Sequence, residues 1–172
     1  QPPGIFISYR REDSQWPVDR IHQALKPHVA DPKADIFVDV DNIPVGVDFV
    51  RDENAPAGEE LRVMIYQLDE PIPLSRRVPI LENFGFSVIA ERTSELTVGK
   101  AASARKVFLH DILLETSDGN PIDLSAHDLR LEACFLAIWR GEAGNDPFNG
   151  LIVRAGLDWR EAALIRAYAA YL

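Results

Sequence analysis

Apolar residues fall in short blocks between polar loops, and the spacing within each block predicts an element. Ile5-Phe6-Ile7-Ser8-Tyr9 reads as a buried strand. A helix follows, with Asp13 or Ser14 at its cap, Pro17 in its first turn, and Val18, Ile21, Leu25 and Val29 along one face. Ile36-Phe37-Val38 is a second buried strand, and Asp39 through Asp48 is a loop holding Pro44 and Gly46. This strand–helix–strand order predicts a parallel pair with a right-handed crossover. So small a unit leaves a parallel pair uncovered, so residues 1–51 are expected to be ordered only when docked on the second half or on a partner chain.

Residues 52–60 carry four acidic side chains with Pro56 and Gly58 and no apolar period, which marks a linker. Beyond it, Leu61 to Tyr66 alternates as a strand with Leu61, Val63 and Ile65 on one face. Ser75 is the expected N-cap of a helix carrying Val78, Leu81 and Phe84, which Gly85 ends. Phe86 to Arg92 is a second strand with Phe86, Val88 and Ala90 on one face, and Lys106 to Leu114 a third. Asp123 caps a long helix whose apolar face is Leu131, Cys134, Phe135, Ile138 and Trp139. A short helix starts at Asn145-Asp146-Pro147 and stops before Gly156. Asp158 and Glu161 open the last helix as a capping box, with Ile165, Tyr168 and Leu172 on one side and an apolar, uncapped end.

The expected architecture is thus α/β and α+β: an incomplete parallel β-α-β unit over 1–51, a linker over 52–60, and a ferredoxin-like β-α-β-β-α module over 61–144. A helical extension occupies 145–172.

Composition narrows the function. The 172 residues include 18 basic and 27 acidic side chains, a net charge of −9. Such a chain repels phosphate backbones and anionic lipid, so neither nucleic acid nor membrane is an expected partner. With Cys134 the only cysteine, an internal disulfide framework is excluded and a cytoplasmic location is expected. The opening Gln1-Pro2-Pro3 and the lone methionine at Met64 are what a piece of a longer protein would show.

Little in the pattern points to catalysis. No glycine-rich phosphate loop occurs, and His22, His28, His110 and His127 lack metal-ligand spacing. His110 and Asp111 are adjacent on a strand and point to opposite faces, so they read as satisfied polar residues rather than an acid–base pair. Cys134 reads as core. No catalytic, cofactor-binding or metal-ligating residue is nominated.

Two resemblances add to this. Gly4 to Asp13 and Phe37 to Phe49 resemble the first box and the second strand-plus-loop of bacterial TIR domains. That resemblance implies an assembly loop at Asp41, Asn42, Ile43, Pro44 and Gly46, while the glutamate of NAD-cleaving members has no counterpart. The longer resemblance is to the large bacterial NAD-specific glutamate dehydrogenases. It runs through Leu68 to Ser75, Pro79 to Gly85, Val88 to Arg92, Leu109 to Asp111, Ala137 to Ala143 and Ala155 to Glu161. It implies an ACT-type regulatory module with following helices, upstream of the catalytic core. An amino-acid effector would then be held at Asp69, Glu70, Pro71, Pro73 and Ser75. None of Lys26, Lys33, Lys100 and Lys106 stands in the context of that family's substrate lysine, so NAD is expected as a cofactor of the parent only. The reading is a non-catalytic regulatory or structural segment of such a dehydrogenase. It would self-associate or pack on the remainder of a longer chain. The alternatives are a TIR-type signal-transduction and assembly module, or an inactive fusion remnant.

Overall fold

The computed structural model describes residues 45–51, 61–98 and 105–171. The elements expected within residues 1–44, including the first two predicted strands, the helix between them and Asp41 to Pro44, lie outside the described residues. So do the linker at 52–60 and Leu172.

Four strands, β1 (Val45–Arg51), β2 (Leu61–Leu68), β3 (Phe86–Val98) and β4 (Arg105–Thr116), form one sheet in the order β1-β2-β4-β3. Every neighbouring pair is antiparallel. Helix α1 (Leu74–Phe84) joins β2 to β3, and α2 (Leu124–Trp139) follows β4. A 3-10 turn (Pro147–Gly150), α3 (Leu151–Ala155) and α4 (Trp159–Ala169) complete the described chain.

The β-α-β-β-α order expected from the sequence is therefore present, preceded by one strand. In a β-α-β-β-α-β sandwich the sixth element pairs with the first strand. Here β1 takes that position beside β2, arriving from the N-terminal side. Two expectations are corrected by this. Val45 to Asp48 are strand, not loop, and Val45–Arg51 belongs with the second module rather than with a separate parallel unit. The cause lies in alternation: Val45, Val47 and Phe49 are all buried in the core under the helices. Phe49 packs its ring 6.3 Å from Phe84 and 6.0 Å from Phe86, tying β1 to α1 and β3. Arg51 adds a hydrogen bond from Nη2 to the Ile122 carbonyl at 2.9 Å.

One sheet face meets both helices. Val63 and Ile65 of β2, Ile112 and Leu114 of β4, Leu81 and Phe84 of α1, and Leu131, Cys134 and Phe135 of α2 are buried there. Burying such side chains contributes roughly 1.5–3 kcal/mol each before entropy is counted. The opposite face carries a smaller buried group of Met64, Leu96 and Leu109, with Tyr66 and Val107 against it.

The helical tail is organised by polar contacts of its own, and it meets the module at α1 and through Ile152 in the core. Arg166 of α4 pairs with Asp146 and donates to Asn149 Oδ1 at 2.8 Å, while Asn149 is itself buried and donates to the Gly144 carbonyl. Asn83 of α1 donates to Asn145 Oδ1 at 2.9 Å. Asp146 caps the 3-10 turn through the Phe148 amide, and Gly156 ends α3 at φ 65°, as the sequence predicts. The Asp158–Glu161 capping box is also formed. Ile165 and Tyr168, expected on an apolar side of α4, are exposed together with Leu164 and Tyr171.

Candidate functional site

The polar residues that the structure gathers lie between the start of α1 and the centre of the sheet. Their placement depends on an irregularity in β3. The pairing of β3 with β4 shifts register between Val88 and Ala90, so one extra residue is inserted there. Phe86 and Val88 face the helices as expected, but Ala90 pairs with Leu113 and is exposed, which corrects its expected face. The bulge moves Glu91 and Thr93 onto the helix-facing side instead, opposite Ile112 and His110. Strict alternation would have turned both away.

Under α1 these groups close a network. Arg77, 3% exposed, forms an ion pair with Glu91. The same Glu91 Oε1 accepts from Thr93 Oγ1 at 2.8 Å and lies 3.1 Å from His110 Nδ1, which is also 3.0 Å from Thr93 Oγ1. On the far side of the ring, His110 Nε2 accepts the Ile72 amide at 3.1 Å. That contact fixes the tautomer: Nε2 must carry the lone pair, so Nδ1 carries the proton and donates toward Glu91 and Thr93.

The charge states follow. Burial pushes the Glu91 carboxyl up, but hydrogen bonds from Arg77 and Thr93 and the Arg77 charge outweigh it and hold the group below the usual range. For His110, burial and the nearby Arg77 guanidinium lower the imidazole's proton affinity more than Glu91 raises it. The network is therefore a charged pair beside a neutral ring. Arg77 Nε and Nη1 and Glu91 Oε2 find no protein partner.

His110 and Asp111 part ways as expected for adjacent strand residues. Asp111 instead receives two hydrogen bonds from Arg62, at 2.9 and 2.8 Å. Cys134 is buried and its thiol is pushed up to about 12, first of all by desolvation, as befits a core residue. Among the described residues no group of three His, Cys, Asp or Glu is placed to hold a metal ion.

The segment leading into α1 is anchored by the same network. Asp69 has φ 64°, a left-handed conformation that Asp adopts more readily than most side chains. Its amide donates to the Lys106 carbonyl at 2.8 Å and its carboxylate pairs with Arg105, which holds the acid below its ordinary value. Asp69, Glu70, Pro71, Pro73 and Ser75 are all exposed, whereas Ile72 between the two prolines is buried. Ser75 does not cap α1. The cap lies two residues earlier: the helix begins at Leu74, behind an extended Pro73 that offers no side-chain acceptor. Of the residues assigned to an assembly loop, only Gly46 is described, and it sits in β1 opposite Tyr66. A Cβ there would fall 1.7 Å from Tyr66 Cζ, so the ring lies across the glycine and leaves no room for a side chain.

A second, half-buried acid lies at the sheet edge. Glu132 of α2 reaches β1, where its Oε1 accepts the Phe49 amide at 3.4 Å. Burial, joined by repulsion from Asp48, outweighs that hydrogen bond and pushes its carboxyl up to about 7. Tyr66 is raised as well, by burial and then by Asp48 and Glu132.

A four-stranded antiparallel sheet with two helices on one face, in this order, defines an ACT-like α/β sandwich. The comparisons agree: residues 44–127 match the family model described as glutamate dehydrogenase, ACT3 domain, and residues 143–172 match glutamate dehydrogenase, helical motif 3. The chain is 42% identical over 118 residues to the NAD-specific glutamate dehydrogenase of Halomonas elongata, covering 67% of this chain and 7% of that protein. It is 36% identical over 118 residues to that of Pseudomonas aeruginosa, covering 69% of this chain and 7% of the relative. For that of Mycobacterium tuberculosis the figures are 32% over 104 residues, 58% and 6%. The chain thus spans about 7% of the length of the first two relatives. It is homologous to the ACT and helical region of NAD-specific glutamate dehydrogenases. The TIR resemblance finds no such support, and Val45 to Phe49, which it included, lie in the ACT-like sheet.

Proposed function

We propose that this chain is a regulatory and structural segment of an NAD-dependent glutamate dehydrogenase, with oxidative deamination of glutamate to 2-oxoglutarate carried by a longer parent. The observation that carries the reading is the succession of two matches from one enzyme, ACT3 then helical motif 3, in stretches that meet through the Asn83–Asn145 hydrogen bond and through Ile152, which is buried in the same core. NAD belongs to that parent; the residues described here hold the module together. Exposed Leu164, Ile165 and Tyr168 along α4, with Tyr171 just beyond its end, support packing against the remainder of a longer chain.

The exposed segment Asp69, Glu70, Pro71, Pro73 and Ser75, between β2 and the start of α1, is the proposed place for an amino-acid effector. A helix start favours an anionic group such as a carboxylate. Grafting residues 44–172 into the Halomonas elongata enzyme in place of the matching stretch tests the assignment. The expected result is a folded chimera that reduces NAD with glutamate. A folded, assembled chimera without that activity would overturn it.

A further inference from the structure

Pro71-Ile72-Pro73 contains a single backbone donor, the Ile72 amide, because proline has none. That donor ends on His110 Nε2 at 3.1 Å in a site where the imidazole is 1% exposed. We propose that His110 is a proton-sensitive latch on the segment entering α1: unprotonated at Nε2 it holds the Ile72 amide, and protonation there releases it. The step is a proton transfer from solvent to the Nε2 lone pair. It turns an acceptor into a second donor facing a donor, and two N–H groups cannot share that line.

The surroundings make the switch two-sided. From α1, Arg77 opposes a second positive charge; from β3, Glu91 favours it and Thr93 offers an acceptor at Nδ1 in either state. From β2 the paired residue is Ile65, which carries no charge, and the adjacent Asp111 is engaged by Arg62. Glu91 thus gives the imidazolium a partner at Nδ1, so protonation need not unfold the module. The strain falls on the Ile72 contact. The segment retains its other ties, the Asp69 amide to Lys106 and the Asp69–Arg105 pair, so release is local.

The inference goes beyond the proposed function and stands without an effector. Nitrogen-detected NMR of the 172-residue chain reads the His110 tautomer, and hydrogen exchange reads the Ile72 amide across the imidazole titration. The neutral ring is expected to carry its proton on Nδ1. Ile72 protection, corrected for intrinsic exchange, is expected to fall about tenfold as the ring protonates, the scale of one hydrogen bond. His110→Gln, whose amide oxygen accepts but does not titrate, is expected to keep Ile72 protected with no such step. A neutral ring protonated at Nε2, or wild-type protection that stays level through the His110 titration, overturns the latch. So does the same step surviving in His110→Gln. The two wild-type measurements decide the matter even if the variant does not fold.

Discussion

The start of α1 and the outer edge of β1 both bury ionisable groups against the same sheet, with opposite results. Beneath α1, the Glu91 carboxylate meets a guanidinium and a hydroxyl, so it is held ionised, and the imidazole beside it is held neutral. At the β1 edge, Glu132 meets one long amide contact and the like charge of Asp48, so it is pushed toward protonation. Burial is common to both places. What separates them is whether an opposite charge came with it.

The largest effect is expected where the compensating charge is removed. Arg77→Ala leaves the part-buried Glu91 without its cation, and about 2 kcal/mol of stability, discounted for the access of water to the carboxylate, should be lost. Urea unfolding at pH 7 reads this as a lower midpoint at constant slope. Arg77→Met combined with Glu91→Leu removes both charges and should cost clearly less than Arg77→Ala alone. If the double variant is the less stable, the ion pair is not what organises this region.

Glu132→Gln probes the other side. A raised folded value means the folded chain binds the proton more tightly than the unfolded one between about 4.5 and about 7. Wild-type stability therefore falls as pH rises through that window, and the full penalty applies above it. Glutamine keeps an acceptor for the Phe49 amide and removes the charge. A gain of about 1 kcal/mol at pH 8, discounted for the partial exposure of the site and fading toward pH 5, is the expected outcome. Equal stability of the two proteins at pH 8 would mean that Glu132 is solvated there.

His110 should give a smaller slope of the opposite sign. Its folded value is lowered below 6.5, so the unfolded chain binds more protons in the window beneath 6.5. Stability on this account is full above that value and declines as pH falls toward the folded value. In His110→Gln the decline should be absent when both proteins are unfolded in urea between pH 7.5 and 5.

How much of this was readable in the residues can be judged at particular positions. The helix-facing set of β2 and α2, the Gly85 stop and the Asp158–Glu161 box follow directly from periodicity and end-chemistry, because each is a local pattern. The separation of His110 from Asp111 likewise needs only alternation. Two misreadings have non-local causes. Val45 to Asp48 read as a loop because Pro44 and Gly46 are turn-formers, whereas Gly46 is there to let the Tyr66 ring cross it, a contact 20 residues away. The Arg77–Glu91 pair was missed because the bulge after Val88 reverses the faces of Glu91 and Thr93, and nothing local to that strand announces it.

The two faces of the sheet offer the mildest test. Arg62 and Asp111 form a paired, two-bond contact on adjacent strands, with side chains 24% and 15% exposed. The corresponding figures for Arg77 and Glu91 are 4% and 15%. The carboxylates are equally covered, so the difference lies in the cation, which keeps access to water in one case and loses it in the other. A solvated arginine has less desolvation to recover and a more screened attraction, so Arg62→Met should cost under about 1 kcal/mol. A double-mutant cycle with Asp111→Asn should return a coupling of roughly 0.5 kcal/mol, shrinking in 1 M salt, while the Arg77–Glu91 coupling stays nearly constant. Equal salt sensitivity of the two cycles would show that water reaches Arg77, and the contrast between the faces would then disappear.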